Sequence, residues 1–349
     1  MGLTMADQSL LGSFVWCELL TTDTTAAAAF YTNVVGWKTA PWPHDPKYTT
    51  FVAGKGPVAG LMVLPDEAKQ MGAPPNWMMY VGTPNVDDTA IRVAQMGGRV
   101  IKQPDTIPDG GRFAIVKDPQ GAVFGVVQPK MGAPQPASGE PGVGSFSWYE
   151  LYTTDGDAAW KFYSTLFGWR KTEAMDMGPM GVYQMFGRGA ASNGGIMKAP
   201  PGVPSAWMPY AMVDDAKAAA ARATGAGATI VNGPMEVPGG DWIAQGKDPQ
   251  GAMFAVHSKK PAVAKPAAKP AAKPAAKKPA EPAAKKASAK PVAKKAAAKK
   301  APARKAAKKA PARKAAKAAT KAKAAKKGKP ARKSKPAKKR KTAKKAKKK

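Results

Sequence analysis

Two carboxylates stand in the same chemical setting at two places in the chain. Glu18 lies two residues after Trp16 and Glu150 two residues after Trp148, each within a run reading Trp-x-Glu-Leu. On an extended backbone, residues i and i+2 share a face, so each carboxylate lies beside an indole. A carboxylate among aromatic rings has two chemical uses. Desolvation can raise its pKa until it works as a base, or it can anchor a cationic ligand against the indole faces. The structural alternative is that it ties down a neighbouring backbone or an arginine while the tryptophans simply pack. Trp42, Tyr48, Trp77, Arg112, Asp241 and Trp242 are further candidates for the rim of such a site.

The other reactive residue types are sparse. His44 sits among prolines in Pro41-Trp42-Pro43-His44-Asp45-Pro46 and reads as a loop residue. His257 falls at the end of the last strand, and both histidines read as solvated side chains with no partner at ligand spacing. Cys17 is the single cysteine, so an intrachain disulfide and cysteine-based zinc motifs are excluded. It alternates away from Trp16 and Glu18 and is expected to pack between strand and helix. Asp87-Asp88 and Asp214-Asp215 open helices and read as caps and dipole partners.

The elements that position these residues repeat. Gly12-Ser13-Phe14-Val15-Trp16-Cys17-Glu18-Leu19 returns as Gly144-Ser145-Phe146-Ser147-Trp148-Tyr149-Glu150-Leu151. Phe30-Tyr31 matches Phe162-Tyr163, Gly36-Trp37 matches Gly168-Trp169, and Trp77-Met78 matches Trp207-Met208. Lys117-Asp118-Pro119-Gln120-Gly121-Ala122 matches Lys247-Asp248-Pro249-Gln250-Gly251-Ala252. Ordered self-similarity of this length marks two copies of one structural unit.

Within the first copy, residues 14–20 read as a strand, with Trp16, Glu18 and Leu20 on one face. Asp23 can cap a helix over residues 24–35 that ends at Gly36. Strands follow at 37–42, 48–53 and 58–64. The same order then recurs, with a strand at 78–82, a helix at 87–96, and strands at 99–102, 112–117 and 123–128. Asp118-Pro119-Gln120-Gly121 has the residue types of a type I turn joining the last two strands. Tyr31 and Tyr163 are expected in the core with a wet hydroxyl.

Paired strand-helix-three-strand units, with Phe-Tyr on the first helix, a Gly-aromatic pair ending it and Asp-Pro-x-Gly before the last strand, resemble the vicinal-oxygen-chelate superfamily of glyoxalases, bleomycin-resistance proteins and extradiol dioxygenases. Trp-x-Glu-Leu on the first strand resembles tandem bacterial members related to lactoylglutathione lyase. The resemblance implies an α+β fold of two tandem domains, each of paired βαβββ units forming a half-open barrel whose concave face holds ligand. The expected boundaries are an extension at 1–9, domains at 10–130 and 143–258, a linker at 131–142, and a tail at 259–349. Metal-dependent members place ligands where this chain has Trp16, Met78 and Gly125, and again Trp148, Met208 and Ala255. None of these side chains is a ligand for a hard or borderline cation. No metal or other cofactor is expected, and a metal-dependent lyase or dioxygenase would need displaced ligands.

Charge divides the chain sharply. Residues 259–349 hold 38 Lys and Arg and one acid, Glu281, a net of +37; the first 258 residues keep 18 bases and 22 acids, a net of −4. The basic segment has no aromatic, Leu, Ile or Met, so it cannot bury enough apolar surface to order itself and is expected to be disordered. It resembles the carboxy-terminal tails of linker histones. The echo of Lys300, Arg304 and Lys305 in Lys309, Arg313 and Lys314 supplies its candidate nucleic-acid contacts. Such contacts release counterions and read no bases, so binding is nonspecific and salt-sensitive. RNA or polyphosphate satisfies the same electrostatics.

The functional expectation is therefore a metal-independent binder, or enzyme, of an unidentified small molecule, tethered to the nucleoid in the cytoplasm. The alternative is a histone-like DNA-binding protein with inert cups. The two copies are expected to pair within one chain, with a homo-oligomer left open. No membrane partner is expected, since no apolar run approaches the roughly 20 residues needed to span a bilayer.

Overall fold

Asp23 and Gly36 bound the first helix for reasons visible in their chemistry. The Asp23 carboxylate accepts the Ala26 amide at 2.9 Å, and Gly36 takes the left-handed conformation, φ 87°, that closes the last turn. The computed structural model describes residues 10–54, 56–108, 110–130 and 141–260. The first copy comprises β1 (Phe14–Thr21), α1 (Thr24–Val35), β2 (Lys38–Trp42), β3 (Asp45–Ala53), β4 (Gly56–Val63), a short α2 (Asp66–Gln70), β5 (Asn76–Gly82), α3 (Val86–Gln95), β6 (Arg99–Thr106), β7 (Arg112–Lys117) and β8 (Val123–Gln128). The second comprises β9 (Phe146–Thr153), α4 (Gly156–Phe167), β10 (Arg170–Asp176), β11 (Val182–Gly187), β12 (Gly194–Lys198), β13 (Ala206–Met212), α5 (Ala216–Gly225), β14 (Thr229–Glu236), β15 (Trp242–Lys247) and β16 (Met253–Ser258).

Each copy forms one open eight-stranded sheet, in the order β2-β3-β4-β1-β5-β8-β7-β6 and its equivalent β10-β11-β12-β9-β13-β16-β15-β14. The two βαβββ units of a copy meet where β1 runs antiparallel to β5, with Trp16 opposite Tyr80 and Glu18 opposite Met78. Parallel β4 flanks β1 on its other side, setting Gly60 beside Glu18, and parallel β8 sets Gly125 beside Tyr80. This register gathers the centre of each sheet around its carboxylate.

The two copies share one core. A single cluster of buried side chains runs from Cys17, Leu19, Phe30 and Trp37 of the first copy to Phe162, Trp169, Phe186 and Phe254 of the second. Phe30 meets Phe254 edge-on at 5.5 Å, and Phe14 stacks on Tyr149 at 3.7 Å. Trp37 Nε1 donates to the Gly144 carbonyl at 2.7 Å, and reciprocally Trp169 Nε1 donates to Gly12 at 2.8 Å. Arg222 donates to the carbonyls of Asn33 and Val34 at the end of α1, and Arg92 to that of Thr165 near the end of α4, where a cation also meets the negative end of the helix dipole. The pairing of copies within one chain is thus built from reciprocal contacts.

The tyrosines of the Phe-Tyr pairs depart from their expected wet hydroxyls. Tyr31 Oη accepts from Trp77 Nε1 at 2.9 Å and donates to Asp248 Oδ2 of the other copy at 2.9 Å. Tyr163 does the same with Trp207 and Asp118, again at 2.9 Å each. Asp118 and Asp248 therefore do more than begin a turn. One oxygen of each collects the amides of its own turn, and the other receives a tyrosine across the interface. Burial pushes both carboxyls above their ordinary range, against those hydrogen bonds.

Candidate functional site

The faces of the two sheets turned away from the shared core carry separate apolar clusters. In the first copy Leu20, Leu64, Met78, Tyr80 and Val127 are buried, with Val15, Trp16, Met62, Phe113 and Ile115 half-buried beside them. In the second, Met208, Tyr210 and Ala255 are joined by Trp148, Tyr152 and Ile243. Alternation along β1 explains the division: Cys17 and Leu19 enter the core, while Trp16, Glu18 and Leu20 enter the cup.

At the floor of the first cup Glu18 is 7 % exposed, and both its oxygens are occupied. Tyr48 Oη donates to Oε1 at 2.6 Å and Tyr80 Oη to Oε2 at 2.8 Å. Trp16 Nε1 in turn donates to Tyr48 Oη at 2.9 Å, completing a relay from indole through phenol to carboxylate. Burial raises the Glu18 carboxyl, and the two phenols oppose that rise by bonding its charged form. Burial and then the Glu18 charge drive both tyrosine hydroxyls upward, so they stay protonated donors.

The second cup keeps this plan with a denser ring. Trp148 Nε1 donates to Tyr183 Oη at 2.7 Å, and Tyr210 Oη donates to Glu150 Oε2 at 2.6 Å. Gln245 Nε2 adds bonds to Glu150 at 3.1 Å and to the Tyr152 hydroxyl at 2.9 Å, and it also meets the Tyr210 hydroxyl. Small residues make room for the rings. A Cβ at Gly60 would overlap Tyr48, one at Gly195 would overlap Tyr183, and one at Gly125 would overlap Tyr80.

The structure brings Trp16, Glu18 and Tyr48 together, and Trp148 with Glu150. Trp42 stands beside Tyr48 at 5.4 Å and His44 at 5.2 Å, extending the first cup into the β2–β3 connection. Three candidates lie elsewhere. Trp77 is buried in the shared core on the opposite face of the sheet. Trp242 packs against that core with Lys217 over its ring at 3.5 Å, while its neighbours Ile243 and Gln245 face the cup. Arg112 forms a surface pair with Asp87 at 2.7 Å. His257, expected in solvent, is buried between Ser147 and Asp241. Lys300, Arg304, Lys305, Lys309, Arg313 and Lys314 lie outside the described residues.

Sequence reasoning missed Tyr80, Tyr210, Tyr183, Tyr152 and Gln245. Tyr80 and Tyr210 were detectable, since they fall at the spacing of 130 that relates Trp77 to Trp207, and Tyr48 with Gly60 recurs as Tyr183 with Gly195 at a spacing of 135.

A model of the Glyoxalase/Bleomycin resistance protein/Dioxygenase superfamily matches residues 13–126 and again residues 145–256. The chain belongs to this superfamily. It is 34 % identical over 250 residues to "Putative glyoxylase CFP32" of Mycobacterium tuberculosis, covering 70 % of this chain and 94 % of that one. It is 30 % identical over 258 residues to the anthracycline biosynthesis protein DnrV of Streptomyces peucetius, covering 70 % and 92 %. Among solved structures, the Mn(II)-bound glyoxalase of Novosphingobium aromaticivorans superposes with a TM-score of 0.52 at 19 % identity, over 71 % of this chain and 82 % of that one, a likeness of fold.

The superfamily's metal positions can be tested against the side chains standing there. Trp16 and Gly125 flank Tyr80 across the first sheet while Met78 stands opposite Glu18, and the three positions offer an indole, a thioether and no side chain. The nearby carboxylate has both oxygens taken by phenols. Trp148, Met208 and Ala255 repeat the pattern in the second copy. Among the described residues no group of three His, Cys, Asp or Glu could hold a metal ion. The residues present do not fit a metal at the superfamily's position. A surface recess of about 270 Å³ opens where β2 and β3 meet Val143 and Gly144, away from both carboxylates. The cups are the candidate site on the chemistry of their lining.

Proposed function

We propose that this superfamily member binds a planar aromatic small molecule in its cups without using a metal, and that its basic tail tethers it to nucleic acid. The observation that carries the first part is the phenol-bound carboxylate. Each oxygen of the buried Glu18 accepts a phenol proton, so the carboxylate is committed to holding two tyrosines and a tryptophan in fixed orientation, and among the described residues no group of three His, Cys, Asp or Glu stands ready to hold a cation. Rigid indole and phenol faces suit a flat aromatic guest, with a half-buried phenol as the polar contact. The relatives named for anthracycline biosynthesis make a fused-ring polyketide the ligand class to test first. The tail is supported by its +37 charge against −4 for the remainder of the chain.

Tryptophan fluorescence of the full-length chain, titrated with an anthracycline and with smaller planar aromatics, tests the cup. Saturable quenching that Trp16→Ala or Trp148→Ala weakens at least about tenfold is expected. Absence of saturable binding across the panel would refute ligand binding and leave the cups inert. Retention on duplex DNA should fall steeply with salt and disappear on deletion of residues 259–349; retention without those residues would refute the tether.

A further inference from the structure

The second cup holds a polar chain that the first lacks. Ser147 Oγ stands 2.8 Å from His257 Nδ1, and His257 Nε2 stands 2.9 Å from Asp241 Oδ2. The corresponding residues of the first copy are Val15, Val127 and Gly111, of which the two valines belong to the apolar cup lining. Packing is thus satisfied at these positions by hydrocarbon in one cup, and in the other the same places carry a serine, a histidine and an aspartate.

The proton positions follow from the partners. A carboxylate accepts but does not donate, so His257 Nε2 carries a hydrogen and gives it to Asp241; in the neutral imidazole this leaves Nδ1 with a free lone pair facing Ser147. The Ser147 hydroxyl then donates to Nδ1; its other acceptor, the Tyr210 carbonyl, is at 3.4 Å and competes weakly. Asp241 is itself held, with Oδ1 accepting the Lys260 amide at 2.9 Å and Lys259 Nζ lying 3.7 Å from Oδ2. Burial works against its charge, but the bonds from the Lys260 amide and His257, with the positive charge of Lys259, outweigh it and keep the carboxyl below its ordinary range. The ring is turned end for end relative to the usual serine hydrolase, while the roles of nucleophile, base and orienting carboxylate are the same. Ser147 is half-buried, at a β-bulge in β9 where the register slips between Tyr210 and Ala211, next to Trp148 of the cup.

We propose that Ser147, His257 and Asp241 form a nucleophilic relay, and that the second cup is an acyl-transfer site for a small uncharged ester with an aromatic part. An uncharged substrate is specified because the Glu150 carboxylate lies in the same cup, and an aromatic part because Trp148 adjoins the nucleophile. Ser147 Oγ attacks the ester carbonyl carbon while its proton passes to His257 Nδ1. Collapse of the adduct breaks the bond to the alcohol, which leaves with that proton and an acyl group remains on Oγ. Water, deprotonated by Nδ1, then releases the carboxylic acid and restores the serine. The inference rests on the reading that the cups admit small molecules.

Labelling of the full-length chain with a fluorophosphonate, followed by peptide mass analysis, tests it. One adduct on Ser147 with loss of fluoride is expected, absent in Ser147→Ala and slowed about 100-fold in His257→Gln. Asp241→Asn should slow labelling at least about tenfold, with circular dichroism confirming the fold of each variant. No adduct on Ser147 of the unmodified protein, or labelling indifferent to His257→Gln, would overturn the relay. Saturable aromatic binding without Ser147 labelling would defeat the relay alone, whereas labelling of Ser147 without aromatic binding would defeat the aromatic-ligand reading alone.

Discussion

Replacing Tyr163 by phenylalanine removes one oxygen from the shared core and leaves the ring in place, so its effect can be worked from two bonds. The hydroxyl donates to Asp118 Oδ2 and accepts from Trp207 Nε1, each at 2.9 Å, with the tyrosine fully buried. Losing a hydrogen bond to a charged group costs about 1.5–3 kcal/mol, and leaving the indole N–H buried without an acceptor costs about 1–3 kcal/mol more. A destabilisation of roughly 3 kcal/mol or more is expected, and Tyr31→Phe should match it through Asp248 and Trp77. Because one core cluster spans both copies, urea unfolding should be a single transition, with tryptophan fluorescence and far-ultraviolet circular dichroism coincident before and after substitution. A cost below about 1 kcal/mol, or two separate transitions in the unsubstituted chain, would refute the argument that these reciprocal bonds unite the copies.

The cup carboxylate gives a prediction in pH. Because burial raises Glu18 above its unfolded value near 4.5, its contribution is full below that value and is lost as pH rises through the folded pKa. Glu18→Gln does not titrate, so its stability relative to the unsubstituted protein should improve as pH is raised from about 4 to 8, measured by urea midpoints; a trend of the opposite sign would show the carboxyl to be lowered instead. Gly60→Ala places a Cβ into the Tyr48 hydroxyl and must push that ring off Glu18. It should cost about 1–3 kcal/mol and weaken aromatic ligand binding at least about tenfold, and unchanged affinity in a folded variant would remove Tyr48 from the site.

What the sequence displays and what it conceals divide by distance along the chain. The bounds of α1, residues 24–35, coincide with expectation because Asp23 and Gly36 each act on their own neighbours. Strands β7 and β8 also coincide, since their turn residues lie between them. Reading stops β6 at Lys102, two residues before Pro104, but the strand continues to Thr106. It is an edge strand with register slips, where a residue lacking an amide hydrogen is tolerated. The tyrosine hydroxyls escape local reading for another reason: Tyr31 finds its acceptor 217 residues away. His257 likewise reads as solvated because Ser147 is 110 residues distant and Asp241 lies on the neighbouring strand's approach. Facial alternation places Glu18 correctly, yet Trp77 and Trp242 required the register of strands that spacing alone does not fix.

The internal repeat allows the two copies to be used as controls for one another. Where both retain a pair, as in Tyr31–Asp248 with Tyr163–Asp118 or Trp37–Gly144 with Trp169–Gly12, the contact is required by the way the copies join. Where both retain a buried Glu with phenol donors, the requirement is that of the cup itself. Neither requirement extends to Ser147, His257 and Asp241, because Val15, Val127 and Gly111 complete an equivalent copy without them. Burying a histidine and half-burying a serine where valines suffice costs desolvation that hydrogen bonding only offsets. A difference of that kind between otherwise matched cups separates the chemistry of the second site from the architecture the two share.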